Sequence, residues 1–157
     1  MLGCKPSPPT THDLFGIYFS IPGNWNVTDQ EKINETDFYL SIEKNGINSS
    51  GLISVSTYPN DGTPEQILKA YQQAFKQQKI YKNSDILFHR IEKVIFGQYE
   101  SNKSRFNRSI LGLKHMGSIN LIQHNDKNYI ILIQEAVEDM SKNDTGFRMF
   151  EESFLIE

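Results

Sequence analysis

Short segments in which apolar and polar residues alternate recur along most of the chain. In one of them Phe15, Ile17, Phe19 and Ile21 occupy every second position. Such alternation is typical of a β-strand that has one face on a core. Segments with this pattern, or with a short apolar run, predict strands at residues 15–21, 37–44, 52–58, 86–88, 94–99, 109–114, 118–123 and 129–136.

Polar segments separate several of these strands. Asn45-Gly46 predicts a hairpin turn, because both residue types tolerate a positive φ. Residues 124–128 (HNDKN) predict a turn between the last two strands. Residues 102–108 (NKSRFNR) are polar and basic, and we expect them to form the tip of another hairpin.

Two segments carry helical signals instead. In the first, Thr63 suits the N-cap, Pro64 the first helical position, and Gln66 completes a capping box, so a helix is expected from Thr63 to about residues 81–83. Residues 143–145 (NDT) offer caps for a second helix. Its Phe147, Phe150 and Phe154 fall at spacings that place them on one face.

The order of these elements predicts an α+β fold. Three strands, a helix, several strands and a closing helix are typical of a central antiparallel sheet flanked by a helix on each side. The chain has 157 residues, the length of one domain. We therefore expect a single domain over residues 14–157, preceded by a tether over residues 1–13.

The only cysteine of the chain lies in this tether. Leu2-Gly3-Cys4 resembles the end of a bacterial lipobox, in which the cysteine is lipidated, and the residues after it are rich in Pro, Ser and Thr. The alternative is a chance cysteine in a frayed terminus, since no apolar h-region precedes it in this sequence. Lipidation of Cys4 would place the domain at a bacterial envelope membrane. Lys5 directly after the cysteine favours the outer membrane, with the domain facing the periplasm.

Beyond the tether, the chain resembles the PsbP/DcrB superfamily, which shares its fold with the Ran-binding factor Mog. The resemblance rests on the Phe-rich strand that runs into Pro-x-x-Trp (residues 19–25), Gly97 after an apolar strand, and the closing Ser153-Phe154. It covers about residues 14–156. It implies the PsbP-like fold and an adaptor-like, mostly non-enzymatic role, and it implies no site residues, because the shared motifs are packing motifs.

No catalytic or metal-binding signature stands out in the sequence. The four histidines, at positions 12, 89, 115 and 124, lack the spacing of metal ligands, although His115 and His124 could approach one another on adjacent strands. The aromatic residues could line a ligand pocket, but their periodic positions favour a core. We therefore expect no enzymatic activity, no catalytic residue, no metal and no cofactor.

The net charge of −3 hides an uneven distribution. Residues 69–114 carry +7, whereas the segments before and after them carry −5 each. Sheet pairing could cancel this difference, or it could leave a basic patch for an acidic partner. The candidate partner-binding residues are Lys69 and Lys76 of the first helix, with Lys79 beside them, and Lys103, Arg105 and Arg108 of the predicted hairpin tip. Nucleic acid is not an expected partner, because Phe106 is the only aromatic residue in that tip.

These observations lead to one leading functional hypothesis. The chain is expected to be a non-catalytic cell-envelope lipoprotein that binds another protein as an adaptor. The alternative is a secretion-system immunity protein or effector chaperone that grips a toxin or an apolar segment.

Overall fold

A computed structural model describes residues 5–59, 61–78 and 85–157. Cys4 and Lys79 lie outside the described residues. Within these residues the structure has two α-helices, α1 (Pro64–Lys76) and α2 (Met140–Ser153), and a short 3₁₀ helix (Val137–Asp139) leads into α2. The strands are β1 (Thr10–Leu14), β2 (Ile17–Ile21), β3 (Trp25–Lys32), β4 (Phe38–Lys44), β5 (Leu52–Tyr58), β6 (Ile86–Phe88), β7 (Glu92–Phe96), β8 (Tyr99–Ile110), β9 (Leu113–His124), β10 (Lys127–Ala136) and β11 (Leu155–Ile156).

The strands form two antiparallel sheets. The larger sheet has the order β3-β4-β5-β10-β9-β8-β6, and β7 also pairs with β8. The smaller sheet has the order β1-β2-β11. The predicted first strand therefore belongs to a separate sheet. It lies there because the buried Ile17, Phe19 and Ile21 pack into the core from outside the larger sheet.

The two helices pack against different side chains of the larger sheet. On β10, Ile130 and Leu132 belong to the cluster that contains the buried residues of α1. Tyr129 and Ile131 belong to the cluster that contains Phe150 of α2 and the apolar residues of β2. We call these two sets of sheet side chains the α1 face and the α2 face.

Helix α1 begins as the sequence predicts. The Thr63 side chain accepts a hydrogen bond from the Gln66 backbone, and the Gln66 side chain accepts one from the Thr63 backbone, so the capping box is complete. The helix ends earlier than predicted, at Lys76, with Gln77 as its C-cap. Its buried residues Ile67, Leu68 and Phe75 cover the α1 face.

Helix α2 differs from its predicted start. Asn143 lies inside the helix and is fully buried, because the 3₁₀ helix carries the chain directly into a helix that begins at Met140. The predicted core positions are confirmed: Phe150 and Phe154 are buried and Phe147 packs against them in the same cluster.

The tether is shorter than predicted. Thr10 pairs with Ile21 and Asp13 with Tyr18, so residues 10–13 belong to a strand and not to a spacer. The Ser7 and Pro8 backbone lies against Gly23 in the turn before β3. The predicted boundary at residue 14 is therefore wrong, because the polar side chains of residues 10–13 concealed a strand at the edge of the smaller sheet.

The predicted hairpin tip at residues 102–108 is also wrong. These residues lie in the middle of β8, the twelve-residue strand that pairs with β9, and the real turn is Leu111-Gly112. Their polar composition hid an alternation of buried Ser104, Phe106 and Arg108 with exposed Arg105 and Asn107. This error changes where the candidate basic residues lie.

Candidate partner-binding site

The five candidate basic residues do not form one patch. Strand residues alternate between the two faces of a sheet. Lys103 and Arg105 therefore lie on the α2 face of β8, whereas Ser104, which accepts a hydrogen bond from Gln72 of α1, lies on the α1 face. Lys69 and Lys76 are exposed on α1.

Arg108 is a structural residue. Its side chain is 4% exposed, its guanidinium carbon lies 4.7 Å from the centre of the Phe75 ring, and Nη1 donates to Oε1 of Gln134 at 3.3 Å. A buried charge needs such contacts to offset its loss of hydration. The prediction that Arg108 binds a partner is wrong, because the residue points into the cluster under α1.

Lys103 and Arg105 lie beside a small cleft on the α2 face. The cleft has a volume of about 250 Å³ and also contains Ser118 and Glu135. Burial, and next the neighbouring Arg105, lower the pKa of Lys103, while Glu151 and Glu92 oppose this effect. Lys103 is thus half-buried among both signs of charge, whereas Arg105 is exposed.

Lys69 lines a longer groove, which we call the helix groove. It has a volume of about 810 Å³ and lies between the start of α1 (residues 63–72) and the segment 88–93. Nζ of Lys69 is 2.8 Å from Oε1 of Glu65, and both side chains are largely exposed. Lys76 lies one turn beyond the groove, with Nζ 5.3 Å from the centre of the Phe88 ring.

Arg90 and Lys93 belong to the helix groove as well. Both are exposed, and no carboxylate oxygen of a described residue lies within 4.0 Å of either cation. Their place in the segment of positive net charge is the only sign of them in the sequence, because their approach to α1 depends on the fold. Glu92 also lines the groove; it pairs across β7–β8 with Lys103 and opposes the lowering of the pKa of that lysine.

A second groove lies at the end of the larger sheet where β4 and β8 finish. It has a volume of about 970 Å³ and is bordered by the loop 45–51, the β8–β9 turn and the 3₁₀ helix. Oγ of Ser50 donates to Oδ2 of Asp139 at 2.7 Å and accepts from the Ala136 backbone at 2.8 Å, so the loop is fixed to the 3₁₀ helix. The hydrogen bond from Ser50 lowers the pKa of Asp139.

The histidines have separate surroundings. His12 stacks on Phe19 at 5.1 Å, and burial lowers its pKa. His115 and His124 lie near opposite ends of β9, so the possibility that they meet on adjacent strands is wrong. The described residues contain no group of three or more His, Cys, Asp or Glu that could hold a metal ion.

The aromatic residues form a core, as their periodicity predicts. Phe19, Phe38, Phe150 and Phe154 are buried in one cluster with Trp25. Phe15 is the exception: it lies in the β1–β2 turn, is 36% exposed and stacks on Phe38 at 5.1 Å.

No protein-family model matches the sequence, and no curated protein matches it either. Solved structures do match. The solution structure of cyanobacterial PsbP (CyanoP) from Synechocystis sp. PCC 6803 superposes with a TM-score of 0.67 at 10% identity, covering 99% of this chain and 95% of that one. The chain has a PsbP-like fold. This confirms the fold that the Pro-x-x-Trp strand and the closing Ser-Phe predict.

Two further solved structures match the chain. A protein of unknown function from Pseudomonas aeruginosa, PA94, described as a putative regulator, has a TM-score of 0.52 at 12% identity and covers 90% of this chain and 92% of its own. LpqN of Mycobacterium tuberculosis, described as involved in cell envelope biogenesis, has a TM-score of 0.47 at 11% identity, with 99% and 87% covered. At such identities a structural likeness concerns the fold alone. Among the described residues, neither helix has the length and apolar character that a membrane span requires.

Proposed function

We propose that the protein is a non-catalytic cell-envelope lipoprotein, anchored through Cys4, that binds another protein as an adaptor. Its sheet would serve as a rigid support with a helix on each side, since α1 and α2 pack with alternate residues of β10. The anchor rests on Leu2-Gly3-Cys4 and on the Pro-rich residues 5–9. Outer-membrane anchoring, with the domain in the periplasm, follows from Lys5 and is part of the proposal.

The helix groove is the proposed binding surface. The observation that carries this choice is the pair Arg90 and Lys93, two exposed cations with no carboxylate of a described residue in ion-pair distance. The groove is lined by three cations, Lys69, Arg90 and Lys93, against Glu65 and Glu92, and Glu65 is paired with Lys69, so one positive charge is in excess. The complementary partner is an acidic protein segment, because opposite potentials speed the encounter and select the partner.

The non-catalytic assignment has support in the surroundings of the histidines. His12 stacks on Phe19, one ring nitrogen of His89 lies 3.2 Å from Oδ1 of Asn107, and His124 packs edge-on against Tyr99. A general base must have a reacting group within hydrogen-bond reach, whereas these three rings are held by two ring contacts and one hydrogen bond to an amide side chain.

The anchor is tested by replacing the cysteine. The full-length precursor with Cys4→Ala should move from the membrane fraction to the soluble fraction of the cell envelope, whereas Ser7→Ala, three residues away, should leave fractionation unchanged. Membrane association that survives Cys4→Ala would contradict the anchor.

The groove is tested by charge reversal. Arg90→Glu with Lys93→Glu should weaken capture of the native partner from solubilised envelope by about tenfold at low salt, and the wild-type interaction should weaken as salt rises. Arg105→Glu is the control, and each single variant of the groove is measured beside it, because it reverses one exposed cation on the α2 face. Loss of capture with Arg105→Glu alone would move the site to the other face and contradict the groove.

A further inference from the structure

Two loop tips at one end of the molecule carry fully exposed apolar side chains. Ile47 and Leu111 have relative exposures of 103% and 100%, and Leu113 beside the second tip is 50% exposed. All three border the 970 Å³ groove between the loop 45–51 and the β8–β9 turn. These side chains add nothing to the core, and their grouping around one groove distinguishes them from apolar residues scattered singly over a surface.

Leu111 is also unfavourable for the turn that it occupies. Its φ is +50° and that of Gly112 is +81°, a two-residue hairpin turn that favours Asn-Gly. At the opposite end of the sheet, Asn125 and Asp126 in the β9–β10 turn also have a positive φ, and Asn and Asp tolerate this conformation. The chain thus has a polar turn at one end and a strained apolar turn at the other, and the fold alone gives no reason for the leucine.

The apolar end is the end at which the tether meets the domain. A Cβ placed on Gly23 would lie only 2.4 Å from the backbone oxygen of Ser7. Residues 7–8 therefore run along the turn before β3. The next residue of that turn, Asn24, accepts a hydrogen bond from the Asn45 backbone at 2.8 Å. Asn45 begins the loop that carries Ile47, so the tether and this tip are neighbours.

Charge at this end is balanced. The groove is lined by Lys44 and Lys142 and by Glu43, Glu138 and Asp139, so it has no excess of positive charge, and Nζ of Lys142 is 3.4 Å from Oδ1 of Asp139. A surface that binds by charge would show an excess of one sign. The attraction at this end must therefore come from the apolar tips.

We propose that this end of the domain docks on a lipid surface, with Ile47 and Leu111 inserted at the boundary between headgroups and acyl chains. The occupant is a lipid surface because the tips project beside the tether that, in the proposed function, leads to the membrane. Two tips inserted together with a tether fix the orientation of the domain, and the helix groove at the start of α1 then lies on the side away from this contact. The choice of a lipid surface rests on the proposed function, but the experiment below measures insertion of the tips without lipidation of Cys4.

The test uses the full chain with Cys4→Ser and an N-terminal histidine tag, bound to phosphatidylcholine vesicles that contain a nickel-chelating lipid. An environment-sensitive dye is attached at Asn48→Cys, next to Ile47, or at Glu35→Cys, in the loop at the opposite end. We expect brominated phosphatidylcholine to quench the dye at position 48 and not the dye at position 35, and we expect quenching to persist at high salt.

Polar replacement of the tips should separate docking from folding. Ile47→Asn and Leu111→Asn should each weaken insertion by about tenfold, because each removes one large apolar side chain from the lipid. Ile33→Asn is the matched control: Ile33 is 59% exposed but lies at the far end, and its replacement should leave the quenching unchanged.

Equal quenching at both dye positions would overturn the proposal, and so would quenching that survives when Ile47→Asn and Leu111→Asn are combined. A shift in dye emission without vesicles that grows with protein concentration would also overturn it. The last would assign the tips to a second copy of the chain. Because the vesicles hold the protein through its tag, a failure here is distinct from a failure of the Cys4 anchor or of the helix groove.

Discussion

Trp25 is held between two glycines that leave no room for a side chain. A Cβ on Gly146 of α2 would lie 2.3 Å from the indole ring, and one on Gly51 would lie 2.5 Å from it. Phe147 packs edge-on against the same ring at 5.4 Å. The tryptophan of the Pro-x-x-Trp motif is therefore the residue that sets how closely α2 approaches the start of β3 and β5.

Gly146→Ala tests this packing. Alanine favours a helix over glycine by about 1 kcal/mol, but the added methyl must displace a buried indole, so we expect a net loss of about 2 kcal/mol in the free energy of unfolding. Urea unfolding measures it. Thr145→Ala, at an exposed position next to it, should change stability by only a few tenths of a kcal/mol. A Gly146→Ala protein as stable as the wild type would show that the ring has space to move.

Glu135 makes stability depend on pH. Burial, and next the charges of Asp144 and Asp139, raise the pKa of its carboxyl group from 4.5 to about 7, although Asn143 opposes the shift. A carboxyl group whose pKa is raised by folding favours the folded state below its unfolded pKa, and this contribution is lost as pH rises to the folded value. Stability should thus fall between about pH 4.5 and 7.

Glu135→Gln should remove this part of the pH profile. Because the side chain is partly solvated, we expect the wild type to lose about 1 kcal/mol relative to the variant across that window, less than the full shift implies. Denaturant unfolding at several pH values measures the difference. Glu152→Gln, at an exposed position on α2, is the control, and parallel profiles for wild type and Glu135→Gln would contradict the raised pKa.

At the scale of elements, the sequence predicts strands well where one face is buried and poorly where neither is. Strands β4 and β5 were predicted almost to the residue, because each carries a run of buried apolar positions. Strand β3 was missed because it lies at an edge of the sheet and, after Trp25, exposes most of its side chains. The middle of β8 was misassigned because its buried positions include Ser104 and Arg108, whose polarity resembles that of a turn.

The β8–β9 turn gives the element-scale prediction. Leu111→Asn replaces a strained, fully exposed leucine by a residue that accepts a positive φ and removes apolar surface from water. We expect the free energy of unfolding to rise by about 0.5–1 kcal/mol, measured by urea unfolding. Gly112→Ala, which forces a side chain into φ +81°, should have the opposite effect. A loss of stability with Leu111→Asn would mean that the leucine supports the fold after all.

At the scale of the whole molecule, the sequence predicted the fold but not the distribution of charge over the surface. The PsbP-like architecture follows from packing motifs whose residues are contiguous in the chain, such as residues 19–25. A charge patch depends on which residues the sheet brings to one face. The segment of positive net charge does not form one patch, because its cations lie on α1, on the α2 face of β8 and, for Arg108, inside the molecule. Arg90 and Lys93 join Lys69 only through the position of segment 88–93 beside α1.

The boundary between tether and domain gives the last prediction. Residues 5–9 make a backbone contact at Gly23 but pair with no strand, whereas residues 10–14 pair along β2 and His12 stacks on the buried Phe19. A chain that starts at Thr10 should therefore keep the free energy of unfolding within about 0.5 kcal/mol of the full chain, because it loses mainly exposed residues.

A chain that starts at Leu14 lacks most of β1, and an edge of β2 is then uncovered. We expect it to lose about 2–4 kcal/mol and to expose apolar surface to the dye ANS. Equal stability of the two truncated chains, measured by urea unfolding, would show that β1 contributes nothing to the domain and would restore the tether to residue 13.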